Sequence, residues 1–139
     1  MKDGTRDLPD IAFAASDYDS HLICSMGSCV NGFRASDSSL FAVSGTSVTT
    51  PMFAGIVALI NQRATTRQGN VNPGLYTLAE TSPDSFHDIT SGGNWMPCQR
   101  GTRDCHGGFL GYSAGRGYDL VTGLGSIDAF KVVTRWPLP

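Results

Sequence analysis

Residues 40–60, LFAVSGTSVTTPMFAGIVALI, constrain the fold more than any other part of the chain. Residues 40–43 are a short apolar run of strand length. Residues 44–47 are a small, hydroxyl-rich turn around Gly45. Phe53, Ile56, Val57 and Ile60 then recur at helical spacing, with Ala54, Gly55 and Ala58 keeping one face thin. The spacing predicts a helix running to about Arg63. Strand, glycine turn and helix in that order make an elbow. Its turn sits at the helix N-terminus, where unpaired N–H groups and the dipole favour negative charge. Pro51 is compatible with the first helical turn, whose N–H groups lack intrahelical partners. On residue chemistry alone the commoner reading is structural, with Thr50 as N-cap and Pro51 as first helical residue. The alternative makes a turn serine a nucleophile, with nearby amides holding a developing oxyanion.

The rest of the chain is consistent with one domain of 139 residues. Residues 11–15, IAFAA, are a second buried-strand candidate. Residues 16–38 are polar and read as a long excursion or hairpin. NPGLYTLAE reads as a short helix opened by Asn72 and Pro73. Residues 81–118 read mostly as loop. SIDAFKVVTR reads as a terminal helix capped by Ser126, with Asp128 near its positive end and Lys131 and Arg135 near its negative end. The net charge of -2 and the lack of a Lys/Arg cluster argue against nucleic acid as a partner. The absence of an apolar run of roughly 20 residues argues against a membrane span. The polar start, MKDGTRDLPD, does not read as a signal peptide.

Four cysteines fall in two close pairs, Cys24 with Cys29 and Cys98 with Cys105. They read as two local disulfides and an oxidising compartment. A zinc site is the weaker reading, since neither spacing is the two-to-four-residue gap of common sites; free thiols are the other alternative.

SGTSVTTPMFAGIVALINQ resembles the nucleophile segment of the sedolisin family, the serine-carboxyl peptidases, through Ser44, Gly45, Thr46, Ser47 and Pro51. LPDIAFAASD, NPGLY, FHDIT and YSAGRGYDLVTGLGS resemble further segments of that family, in order, over nearly the whole chain. The resemblance implies an α/β fold: the C-terminal part of a subtilisin-like parallel-sheet domain, loop-rich, with a helix following the nucleophile. Residues 11–15 and 40–43 are then expected in its parallel sheet, with an exposed sheet edge or apolar face in this chain alone. Residues 1–139 form that C-terminal portion, with the nucleophile segment at 40–63 and a calcium-binding region at 86–125.

The resemblance makes Ser47 the catalytic nucleophile and Ser44 a turn residue whose hydroxyl serves the backbone. The family activates its serine with a Glu oriented by an Asp, while another Asp, protonated, stabilises the oxyanion. Such acids work at low pH when burial and mutual repulsion raise their pKa values. In the family these acids precede the serine by long stretches. Only 46 residues precede Ser47, so that portion is expected to be missing here. Glu80, the only glutamate, and Asp84 at i+4 mimic a carboxylate pair, but Pro83 disfavours a helix between them. His21, His87 and His106 would supply a Ser-His pair only in a subtilisin-style alternative. They read as solvated loop histidines, and Asp10, Asp17 and Asp19 as turn formers.

The resemblance also implies a calcium ion held by the carboxylates of Asp88 and Asp119 and the carbonyls of Ile89, Gly115 and Gly117. Such an oxygen set suits this cation. The implied function is a secreted, acid-active serine endopeptidase acting on peptides or proteins, with this chain alone inactive. The alternative is a non-catalytic, calcium-stabilised remnant that binds peptide or a partner.

Overall fold

The computed structural model describes residues 8–24, 28–31 and 42–138. Its elements in chain order are β1 (His21–Leu22), β2 (Ala42–Val43), α1 (Thr46–Ala64), α2 (Asn72–Thr81), β3 (Phe86–His87), β4 (Met96–Pro97), β5 (Phe109–Leu110), β6 (Ser126–Ile127) and α3 (Ala129–Thr134). Helix and short strand are mixed, as expected of an α/β chain. The pairing is not parallel, however. β1–β2, β3–β6 and β4–β5 are three separate antiparallel pairs.

Residues 11–15 do not form a ladder. They are held by single contacts: Leu124 N–H to the Asp10 carbonyl at 2.9 Å, Ala12 N–H to the Gly125 carbonyl at 3.0 Å, and Gly45 N–H to the Ala15 carbonyl at 2.9 Å. A parallel strand needs a continuous neighbour reached by a crossover, and none lies beside this segment among the described residues. Of the other expected strand, Leu40 and Phe41 lie outside the described residues. Ala42 and Val43 turn back onto β1, with His21 opposite Val43 and Leu22 opposite Ala42.

The core lies where α1, α2 and α3 meet. Ile60, Val71, Leu75, Leu78, Val132 and Trp136 are buried, with Phe53, Ile56 and Val57 packed against them. The helical spacing of residues 53–60 thus faces inward as expected. The other side of α1 leaves Met52 and Leu59 42% and 50% exposed, with Ala54, Gly55 and Ala58 also exposed. Apolar residues therefore also lie on the outward side of α1. α2 begins as read, with Pro73 in its first turn. It touches the Trp136 ring at Gly74, where an added Cβ would lie 2.3 Å from the indole.

The terminal helix starts later than its sequence suggests. Ser126 pairs with His87 in β6, and Asp128 is the cap, accepting the Lys131 N–H at 3.0 Å. Both cysteine pairs are bonded, Cys24–Cys29 and Cys98–Cys105. Among the described residues no helix is long and apolar enough to cross a membrane.

Candidate active site and cation loops

Ser47 is the second residue of α1 and is exposed. The helix opens earlier than a Thr50 cap would allow. Gly45 is the N-cap, at φ 88° and ψ 169°, a conformation that only glycine adopts readily. It offers no side-chain cap. Its turn is closed instead by Val48 N–H to the Gly45 carbonyl at 3.1 Å and by the Gly45–Ala15 bond.

Pro51 therefore lies inside the helix, not at its first position. It has no N–H for the carbonyl of Ser47 four residues back. The amides of Thr46 and Ser47 precede the first helical bond and lie at the positive end of the dipole. That is the local environment an oxyanion requires. Ser47 shares a cavity of about 430 Å3 with Ile23, Val43, Ser44, Val48 and Pro51, so the hydroxyl borders an apolar recess.

The Ser44 hydroxyl does not serve the backbone. It donates to the Asp17 carboxylate, 27 positions earlier. In sequence both residues have the character of ordinary turn formers, and no spacing rule pairs them. Asp10 is likewise more than a turn residue. Its carboxylate accepts from Asn72 Nδ2 and from the Tyr76 hydroxyl, each at 2.7 Å, tying the segment before the nucleophile to α2.

The remaining acids and histidines lie elsewhere in the fold. α2 ends at Thr81 and Pro83 opens a separate turn, so Glu80 and Asp84 do not share a helix. Asp84 is committed to α3, with Lys131 Nζ at 3.1 Å and Arg135 Nη1 at 2.5 Å. The Lys131 contact, then that of Arg135, holds its carboxyl below the usual range. His21 Nε2 lies 3.2 Å from the Ala14 carbonyl. His87 is in β3, and His106 lines a cavity of about 400 Å3 with Trp95, Phe109 and Gly111. Among the described residues no histidine or carboxylate hydrogen-bonds Ser47.

The expected cation loops lie against each other. The Gly117 N–H donates to Asp88 Oδ2 at 2.9 Å, and the Gly115 N–H donates to Asp119 Oδ2 at 3.0 Å. One glycine loop thus serves both carboxylates. Asp119 Oδ1 also accepts the N–H groups of Val121 and Thr122, each at 2.8 Å. These donors, Gly115 first and Thr122 next, hold the Asp119 pKa down to about 2. Among the described residues the carbonyls of Ile89, Gly115 and Gly117 accept no hydrogen bond. Two carboxylates beside one glycine loop are oxygen donors of the hard kind that suits such a cation. Among the described residues no three His, Cys, Asp or Glu side chains group to hold a metal. Tyr118 anchors the loop to the Pro9 carbonyl at 3.0 Å.

No family model matches the chain. Among curated proteins, sedolisin of Pseudomonas sp. (strain 101) is 32% identical over 129 residues, 93% of this chain and 18% of the relative. Kumamolisin of Bacillus sp. (strain MN-32) is 41% identical over 90 residues, 65% of this chain and 14% of the relative. Tripeptidyl-peptidase 1 of Dictyostelium discoideum is 42% identical over 90 residues, 62% of this chain and 14% of the relative. The chain thus spans less than a fifth of the length of these relatives. With the Ser44–Pro51 motif seated at the opening of α1 and matches of this extent, the chain belongs to the sedolisin family, consistent with its C-terminal portion.

Proposed function

We propose that this chain carries the nucleophile and the cation loops of a sedolisin-type serine-carboxyl endopeptidase. The observation that carries the reading is Ser47 itself. It is exposed at the second position of α1, beyond a glycine-only turn, on the edge of an apolar recess. In this reading the Ser47 Oγ attacks a peptide carbonyl and its proton passes to a glutamate supplied by sequence outside these 139 residues. The carbonyl oxygen takes up the negative charge, facing the start of α1 and a protonated aspartic acid from the same missing portion. Collapse breaks the C–N bond, the amine leaves with the proton, and water then hydrolyses the acyl-Ser47 ester. Protonated acids in these roles make the intact enzyme acid-active. The full domain has a subtilisin-like parallel sheet, in which the exposed side of α1 finds its neighbours. Substrates are peptides or proteins, and the two disulfides suit a secreted enzyme.

In the same reading a calcium ion is held by Asp88 and Asp119 through carboxylates and by Ile89, Gly115 and Gly117 through carbonyls. Bound there, it supplies charge neutralisation and a cross-link between two loops. Asp88 and Asp119 themselves hold the 115–122 turn through its amides. A second reading, a non-catalytic calcium-stabilised module, draws on the lack of an acid or base bonded to Ser47 among the described residues. The test is turnover of a chromogenic peptide at acidic pH by the full-length protein that carries this chain. The enzyme reading expects turnover that Ser47→Ala abolishes. Full-length protein without turnover, still stabilised by calcium, supports the second reading instead.

A further inference from the structure

We propose that Asp17 is a positioning residue for Ser47, acting through Ser44; this rests on the nucleophile reading above. The Ser44 Oγ–H donates to Asp17 Oδ1. Asp17 is itself well held. It opens a tight turn, Asp17–Asp19, in which the Ser16 hydroxyl accepts the Tyr18 N–H at 3.1 Å. The Ser20 hydroxyl closes the turn on the Asp17 carbonyl at 2.8 Å. The next residues form β1, so His21 lies opposite Val43.

Residues 15–22 therefore grip residues 42–45 at three places. These are the β1–β2 pair, the Gly45 N–H on the Ala15 carbonyl, and the Asp17–Ser44 bond. The first two are backbone contacts and leave the Ser44 side chain free to rotate. The third is the only one involving an ionisable group, and it acts on the residue before the glycine turn. An alanine-sized group at Gly45 would meet nothing within 4 Å, so that point of the turn has open space beside it. Ser47 follows three residues later and shares its cavity with Ser44. Without Asp17 the turn rests on backbone bonds alone, and the aim of the Ser47 Oγ broadens. Nucleophiles must sit within a narrow attack geometry, so a displacement near 1 Å can cost about a hundredfold in rate; partial loosening is expected to cost about tenfold. Asp17 touches no reacting atom.

The test uses the full-length protein that carries this chain and a peptide substrate at acidic pH, with Asp17→Ala, Asp17→Asn, Ser44→Ala and the Asp17→Ala/Ser44→Ala pair. The expected result is a loss of about tenfold in kcat with little change in KM for each alanine variant, at unchanged Tm. The double variant should lose no more than either single one, because both remove the same bond. Asp17→Asn should recover most of the activity, since its amide oxygen still accepts the Ser44 hydroxyl. An unchanged kcat in Asp17→Ala, additive losses in the double variant, or an Asp17→Asn as slow as Asp17→Ala overturns the inference and leaves the nucleophile reading standing. Should Asp17→Ala fail to fold, Ser44→Ala alone decides, an unchanged kcat overturning the inference. Wild-type turnover that survives Ser47→Ala, or no wild-type turnover at all, overturns the nucleophile reading and this inference with it.

Discussion

The glycines at 45 and 55 allow one chemical change to be made twice with opposite expected signs. Gly45 sits at φ 88° and ψ 169°, where a side chain brings backbone strain of about 1–3 kcal/mol. A built Cβ there meets no heavy atom within 4 Å, so no clash adds to it. Alanine also stiffens the unfolded chain, which offsets roughly 0.4–1 kcal/mol of that strain. The net expectation for Gly45→Ala is a destabilisation of about 1–2 kcal/mol. Gly55 lies in the middle of α1 and likewise has nothing within 4 Å of an added Cβ. Gly55→Ala should therefore stabilise by about 0.5–1 kcal/mol, the ordinary helix-propensity gain. At about 4 °C per kcal/mol for a chain of this size, Tm should fall by roughly 4–8 °C in the first and rise by roughly 2–4 °C in the second. Guanidinium unfolding of the 139-residue protein, with unchanged m-values, is the assay. A Gly45→Ala variant as stable as the wild type would refute the assigned turn conformation. A Gly55→Ala variant destabilised by more than about 1 kcal/mol would mean that this face of α1 is packed.

The other predictions concern charge and the cation. Asp119 has its folded pKa lowered from 3.8 to about 2, so its contribution to stability is fully present above 3.8 and is lost as pH falls from there through about 2. Asp119→Asn should flatten the stability profile in that window, and an unchanged acid limb would contradict the assigned hydrogen bonds. Calcium at a hundred times its dissociation constant should stabilise the folded protein by about 2.7 kcal/mol. Chelator should therefore lower Tm at neutral pH in a calcium-loaded sample, and Asp119→Ala should remove that sensitivity; a melt indifferent to chelator rules out the structural cation.

Patterns with a local cause could be read from the sequence. Ile56 and Ile60 point inward because apolar residues four apart share a helix face. Each bonded cysteine pair is close in sequence. The Ser44–Pro51 motif marks the start of α1, but its Thr50–Pro51 pair places that start five residues late. Thr50 and Pro51 imitate a cap and first position, whereas the turn is set by Gly45 and by a carbonyl 30 residues earlier. Asp17–Ser44 and Asp10–Tyr76 were invisible for the same reason, since only tertiary structure brings them together. Ser126 resembles a cap in sequence, but its strand partner, His87, lies far upstream. Residues 11–15 have the composition of a buried strand, but a strand is a property of its neighbours as well, and here the contacts are single.

The central claim, that Ser47 is the nucleophile, is tested most directly by trapping the acyl group on it. The full-length protein carrying this chain would be mixed with an activated peptide ester at acidic pH, quenched in acid within milliseconds and digested with trypsin. The fragment to follow covers residues 35–63, bounded by Arg34 and Arg63. Fragment-ion mass spectrometry should place the acyl mass on Ser47 and nowhere else, and Ser47→Ala should abolish it. An acyl group on Ser44, Thr46 or any other hydroxyl, formed at an undiminished rate in Ser47→Ala, would contradict the account.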